Sequence, residues 1–311
     1  MSWQSALTCW LLRRTFRPET SKPHLNVQQA REHAAKRCWS PKPPAGWRFV
    51  EHNQATDAPL RGEWFEPVKS AATTVLYFHG GGYYFCSPRS HRPLVVALAT
   101  RCAARIFSLD YRLAPEHPFP AALDDALAAY RQLVTNGVSP DSLVLAGDSA
   151  GGGLALATLI ALRDAGEPMP AAALLFSPWT DLAATGLTLT THDGRDPMFY
   201  GTAIGRAAKF YLGDTPATHP YASPVYADFT GLPPLFIQAG STEVLLDDAQ
   251  RVADKARAAD VSVNFEIWPN MPHVWQLYAP FVPEAGKALE HAASFMHWAI
   301  HARQTQTHLA D

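Results

Sequence analysis

The stretch Ser142-Leu143-Val144-Leu145-Ala146-Gly147-Asp148-Ser149-Ala150-Gly151-Gly152-Gly153-Leu154-Ala155 decides the fold. Its first five residues form an apolar run of strand length. From Gly151 to Ala165 the run reads as a buried helix. Between the two lies Gly-x-Ser-x-Gly, in the strand–turn–helix setting the motif requires. A serine on so sharp a turn takes strained backbone angles. Flanking side chains would clash there, and glycines remove the clash. The serine oxygen then projects at a helix N-terminus, where developing negative charge is favoured. Three fixed positions match by chance about 0.1 times in ~300 residues. The placement between strand and helix raises the motif above that background.

The same alternation extends in both directions. Upstream, Arg48–His52 and Gly62–Phe65 are β-like. Thr73–Phe78 and Arg105–Leu109 are apolar strands, separated by a helical stretch at His91–Ala103 and followed by a helix at Ala121–Thr135. Downstream come the strands Ala172–Phe176, Leu235–Ala239 and Val263–Trp268, with helices at Val244–Ala259 and Pro283–His301. Continuous apolar strands alternating with helices predict an α/β fold with a mostly parallel sheet of about eight strands, covered on both faces. Residues 180–230 break the rhythm, with one helix-like piece near Thr202–Leu212. Such an interruption is too long for a βα loop and reads as a lid. Residues 1–45 are helix-like, then punctuated by Pro41, Pro43 and Pro44. The polar last ten residues read as frayed.

Composition narrows the function. The chain has 311 residues, of which 47% are hydrophobic and 17% charged. That is globular rather than disordered. With 26 Lys+Arg against 28 Asp+Glu, net charge is −2. This balance, with no basic run of five, argues against a nucleic-acid or membrane partner. The four cysteines (Cys9, Cys38, Cys86, Cys102) form no CxxC pair, so free thiols are expected rather than a disulfide framework or zinc site. No apolar run reaches ~18 residues. At the start, MSWQSALTCWLLRR places basic residues after the apolar stretch, the wrong order for a secretory signal. It reads as an amphipathic helix of the fold, and the protein as cytoplasmic.

Three further segments complete a catalytic reading around Ser149. His79-Gly80-Gly81-Gly82 follows the strand Thr73–Phe78. The amides of Gly81 and Gly82, with that of Ala150, suit an oxyanion hole. His79 lies too early in the chain for the base and is expected to brace this loop. The order nucleophile, acid, base puts the base after the last strand, where His273 stands in Pro269-Asn270-Met271-Pro272-His273. His291, His297 and His301 read as solvated helix residues. The acid should follow Leu235–Ala239, where Glu243, Asp247 and Asp248 compete. Glu243 is favoured because it precedes the helix. Carboxylates in a first turn are commonly dipole partners with no other role.

Together, HGGG at 79–82, GDSAGGGLA at 147–155 and the segment Asp110-Tyr111-Arg112-Leu113-Ala114-Pro115-Glu116-His117-Pro118 resemble the hormone-sensitive-lipase family of α/β-hydrolases, the bacterial family IV esterases. The likeness runs from about residue 48 to 302. It implies an α/β-hydrolase fold and a carboxylesterase acting on short- to medium-chain esters or lactones, without metal or cofactor. Many members carry Asp-Pro-Leu where this chain has Glu243-Val244-Leu245, which resembles the subset with a Glu triad and monoterpene ε-lactone hydrolase-like names. Cys86 stands where Gly is common and is not read as catalytic. The family also implies a cap from about 1–45 and 180–230, with Trp10, Leu11, Met198, Phe199, Tyr200 and Phe210 available to line an acyl pocket. Tyr83 and Tyr84 would shape its mouth. An Arg–Asp pair within Asp110-Tyr111-Arg112 is expected to brace its turn. Plant gibberellin receptors resemble the family but lack the catalytic histidine, which His273 supplies here. The last strand, Val263–Trp268, offers an edge for a homodimer.

Overall fold

The computed structural model describes residues 1–52 and 58–310. Eight strands form one sheet: β1 (Trp47–His52), β2 (Gly62–Pro67), β3 (Thr74–Phe78), β4 (Arg105–Leu109), β5 (Leu143–Asp148), β6 (Ala172–Phe176), β7 (Leu235–Gly240) and β8 (Val263–Trp268). Their spatial order is β1-β2-β4-β3-β5-β6-β7-β8. The pairs β1–β2 and β2–β4 are antiparallel, and every other pair is parallel. The helices are α1 (Trp3–Thr15), α2 (Arg17–Thr20), α3 (Val27–Lys36), α4 (Pro88–Cys102), α5 (Ala121–Thr135), α6 (Ala150–Asp164), α7 (Thr188–Thr191), α8 (Gly201–Leu212), α9 (Leu246–Ala258) and α10 (Pro283–Ala310).

Alternation along each strand builds two cores. Leu76, Phe78, Leu143 and Leu145 pack on the face covered by α5, α6 and α9. Val75, Tyr77, Val144 and Ala146 pack on the face covered by α4 and α10. Strands covered on both sides have no polar face, which is why β3 and β6 are buried throughout.

Strand order reverses between β3 and β5, since β3 leads outward to β4 on one side and pairs with β5 on the other. Loops leaving the carboxyl ends of strands at such a switch point part from each other and leave a crevice. The HGGG segment follows β3 and Ser149 follows β5, so the two flank this crevice.

Most expected elements are present with shifted ends. The helix expected from His91 begins at Pro88, and the one expected from Val244 begins at Leu246, which leaves Glu243 in a loop. The frayed C-terminus is not found: α10 continues through Ala310, and Asp311 lies outside the described residues. Residues 1–45 and 180–230 are joined side by side. Arg13 donates to the Gly194 carbonyl, Thr20 to that of Met198, and Arg206 to that of Thr20. Phe16 meets Phe199 edge-on at 5.6 Å.

Candidate active site

Ser149 sits at φ 53°, ψ −121°, a conformation that costs a non-glycine residue on the order of 1–3 kcal/mol. Three backbone bonds hold it. Its N–H donates to the Phe176 carbonyl at 2.9 Å, and its carbonyl accepts from Gly153 at 3.1 Å and Trp179 at 2.9 Å. The flanking glycines are required by contact. A Cβ on Gly147 would lie 2.2 Å from the Gly151 oxygen, and one on Gly151 would lie 2.0 Å from the Phe78 oxygen.

Asp148, which sequence reasoning passed over, ties this turn to the HGGG loop. Its Oδ1 accepts from the Tyr77 hydroxyl at 2.5 Å and the Gly80 amide at 3.0 Å. Its Oδ2 lies 3.2 Å from His91 Nε2. Burial pushes this carboxyl up, but His91 and the Tyr77 bond outweigh it and hold it below the usual range. His79 braces the loop as expected: Nδ1 lies 2.7 Å from the Gly80 oxygen and the ring stacks on Tyr111 at 4.3 Å. Burial drives His79 down to about 3, so it is neutral near pH 7. Gly81 has φ 113° and its carbonyl accepts from Tyr84 and Phe85. Among the described residues, the amides of Gly81, Gly82 and Ala150 have no acceptor.

Glu243 and His273 form a buried pair, with Oε2 2.7 Å from Nδ1. The other carboxylate oxygen accepts from the Gly240 amide and from the Ser177 hydroxyl, the latter at 2.7 Å. Ser177 Oγ also accepts from the Val274 amide at 3.1 Å. The loops after β6, β7 and β8 are thus stitched together, and the Ser149–Phe176 bond joins the loop after β5 to them. His273 Nε2 is buried and without a partner among the described residues. Burial pushes His273 down, but the Glu243 charge and hydrogen bond, aided by Asp196, raise it above its ordinary value.

The competing carboxylates do other work. Asp247 Oδ2 accepts from the Leu187 amide at 2.8 Å. Asp248 Oδ2 accepts from the amides of Thr180 and Asp181, and burial pushes its carboxyl up to about 7. Neither bonds to His273. Asp196 is a second residue that sequence reading missed. It is buried, its Oδ1 accepts from Met198 and Phe199, and its Oδ2 accepts from Val244. It therefore fastens the insertion to the residue beside Glu243. The Asp196-Pro197 dipeptide is a turn signal that marked the position.

Candidate pocket residues divide. Phe199 meets the His273 ring edge-on at 5.2 Å. Met198 is buried beside it, and Phe210 lies 5.5 Å from Tyr84. Tyr83 is fully buried and stacked on Tyr211 at 3.7 Å, so it backs the loop instead of shaping a mouth. Trp10 and Leu11 are exposed rather than turned inward, and Tyr200 lies under Arg17. The expected Arg–Asp pair is also split: Asp110 pairs with Arg61 and Arg112 with Asp125. Cys86 is half-buried and its thiol is pushed up to about 12 by desolvation, which keeps it protonated. His291, His297 and His301 are all exposed, with His291 against Glu266 and His297 against the Cys102 carbonyl. No group of three His, Cys, Asp or Glu among the described residues is placed to hold a metal.

Residues 75–277 match the family model for the alpha/beta hydrolase fold. The chain belongs to that family, in its bacterial hormone-sensitive-lipase branch. It is 50% identical over 234 residues to an acetyl-hydrolase of Streptomyces hygroscopicus, covering 75% of this chain and 78% of that one. An esterase of the bacterial hormone-sensitive lipase family superposes with TM-score 0.87 at 37% identity, covering 96% of this chain and 99% of that one. The esterase EstE5, soaked with p-nitrophenyl butyrate, superposes with TM-score 0.89 at 39% identity, covering 97% and 100%.

Proposed function

We propose that this enzyme, a carboxylesterase by kinship, hydrolyses short- to medium-chain acyl esters or lactones through an acyl-enzyme on Ser149. The observation that carries the reading is the buried Glu243–His273 pair with an unpartnered Nε2, in the loops that flank a strained Ser149. His273 takes the Ser149 proton as the oxygen attacks the carbonyl, then gives it to the leaving alcohol. Glu243 holds the proton of His273 on Nδ1, so that Nε2 is the basic atom. The amides of Gly81, Gly82 and Ala150 hold the oxyanion. Water repeats the sequence and releases the acid. In a lactone the leaving alcohol stays tethered to the product. No cofactor enters these steps.

Residues 1–45 and 180–230 act as the cap in this reading. Met198 and Phe199, pinned by Asp196, form the acyl-pocket wall beside His273, with Tyr84 and Phe210 further out. The outer edge of β8 supports pairing with a second copy, which light scattering would reveal as twice the chain mass. The reaction is tested with p-nitrophenyl esters from acetyl to palmitoyl. Turnover should be greatest at short chains and vanish in Ser149→Ala. Undiminished turnover in that variant would overturn the assignment.

A further inference from the structure

Helix α1 leaves much of its apolar surface outside. Its inward side is mixed: Ser5 and Leu12 are buried, and the hydroxyls of Ser2 and Ser5 both donate to Glu284 Oε2 at 2.8 Å. Its outward side, at helical spacing, is Trp3, Ala6, Leu7, Trp10, Leu11 and Arg14. Trp3 and Trp10 are 72% and 52% exposed, and Leu7 and Leu11 are 46% and 45% exposed. The apolar ground continues past the helix start, where exposed Phe281 lies three residues before Glu284 and touches exposed Trp39 at 5.4 Å.

Charge is segregated in the same region. Residues 1–45 hold eight Lys and Arg against two Asp and Glu, in a chain whose net charge is −2. The near-neutral total conceals this asymmetry, and the rest of the chain is acidic. Arg13 and Arg37 donate to the backbone carbonyls of Gly194, Arg195 and Thr15, whereas Arg17, Lys22 and Arg31 pair with Asp193, Glu19 and Glu116. Arg14 lies over the Trp10 ring.

We propose that α1 is a docking helix for an anionic lipid surface. It would lie in the headgroup plane with Trp3, Leu7, Trp10 and Leu11 sunk into the boundary and the basic residues against the headgroups. Tryptophan and leucine on one helix face with flanking arginines is the composition that partitions to such interfaces. The four side chains expose on the order of 500 Å², a large patch for a monomer yet short of the ~800 Å² per partner in a standard protein interface. That shortfall, and the positive charge, favour a lipid surface over a second copy of this chain. The helix also stands close to the chemistry. Phe16 at its C-terminal end touches Phe199, and Phe199 touches His273. Docking through α1 would therefore bring the proposed acyl-pocket side of the molecule toward the source of apolar substrate.

The test is co-sedimentation of the full chain with vesicles of phosphatidylcholine alone or mixed equally with phosphatidylglycerol. Ser149→Ala is used, so that lipid hydrolysis does not enter and binding is read apart from the esterase reading. Binding should require the anionic lipid and weaken as salt shortens the screening length from about 10 Å at 0.1 M to about 3 Å at 1 M. Trp3→Ser with Trp10→Ser should lower the partition coefficient at least tenfold. In the Ser149 background the same pair should leave thermal unfolding and p-nitrophenyl acetate turnover unchanged. If that pair misfolds, Leu7→Gln with Arg14→Glu serves instead. No binding to anionic vesicles at low salt, or equal binding by wild type and variants, would overturn the proposal. So would self-association that the variants abolish in the absence of lipid.

Discussion

Replacing Glu243 by glutamine isolates what the buried carboxylate does for His273. One carboxylate oxygen accepts from the Gly240 amide and the Ser177 hydroxyl, and the other faces Nδ1. The Gly240 amide is fixed and can only donate, so the glutamine carbonyl must take the first position. The glutamine NH₂ then faces His273. Two donors cannot meet, so Nδ1 becomes the acceptor and the ring proton moves to Nε2. An imidazole in that tautomer cannot accept the serine proton. The equivalent change in a serine-protease triad lowers kcat about 10⁴-fold, or ~5 kcal/mol of barrier. A loss of that order is expected here in kcat for p-nitrophenyl butyrate near pH 7. Because shape and burial are conserved, thermal unfolding should move little. Asp247→Asn is the control, since Asp247 bonds to Leu187 and not to His273. A loss below tenfold in Glu243→Gln, or an equal loss in Asp247→Asn, would refute the reasoning.

Three further outcomes follow from the same geometry. His273 is raised above its ordinary 6.5 and must be neutral to act, so activity should fall as pH drops through its folded pKa. The acid limb of kcat/KM should have its midpoint above 6.5 in wild type and lower in Glu243→Gln; a wild-type midpoint below 6.5 would contradict the pairing. Tyr77→Phe removes one hydrogen bond to buried Asp148 and should cost about 2 kcal/mol in urea unfolding. Asp148 is held low, so its contribution is full above the unfolded value of 3.8 and fades as pH falls through the lower folded value. The Tyr77→Phe deficit should therefore shrink in acid. Asp196→Ala releases the amides of Met198, Phe199 and Val244. Misplacing the pocket wall should lower kcat/KM roughly 10²-fold, measured on the butyrate ester with fold checked by circular dichroism.

The central architecture was legible because burial on both faces leaves a parallel strand few polar positions. Leu143 to Ala146 and Ala172 to Phe176 show this plainly in one dimension. The Ser149 turn was legible for a different reason: the backbone approach between Gly147 and Gly151 excludes every side chain. Glu243 could be separated from Asp247 only by knowing where α9 starts, and one turn of helix decides it. What stayed hidden was long-range and polar. Asp148 and Asp196 are single carboxylates whose importance lies in amides contributed by distant segments, and no periodicity records such partners. Two of the cap residues, Trp10 and Leu11, lie outside the pocket for a related reason. Trp10 and Leu11 resemble pocket residues by type, but α1 turns Ser2, Ser5 and Leu12 inward, with the serines reaching Glu284. Net charge misled in the same way, since a total near zero conceals a basic first segment and an acidic remainder.

The most direct test is to trap the acyl-enzyme. The protein is mixed with p-nitrophenyl butyrate, quenched in acid during turnover, and its peptides are examined by mass spectrometry. The account predicts one butyryl adduct, on the peptide carrying Ser149, that accumulates with the nitrophenol burst and is absent in Ser149→Ala. Full turnover with no adduct at Ser149, or an adduct that persists on another residue in Ser149→Ala, would contradict it.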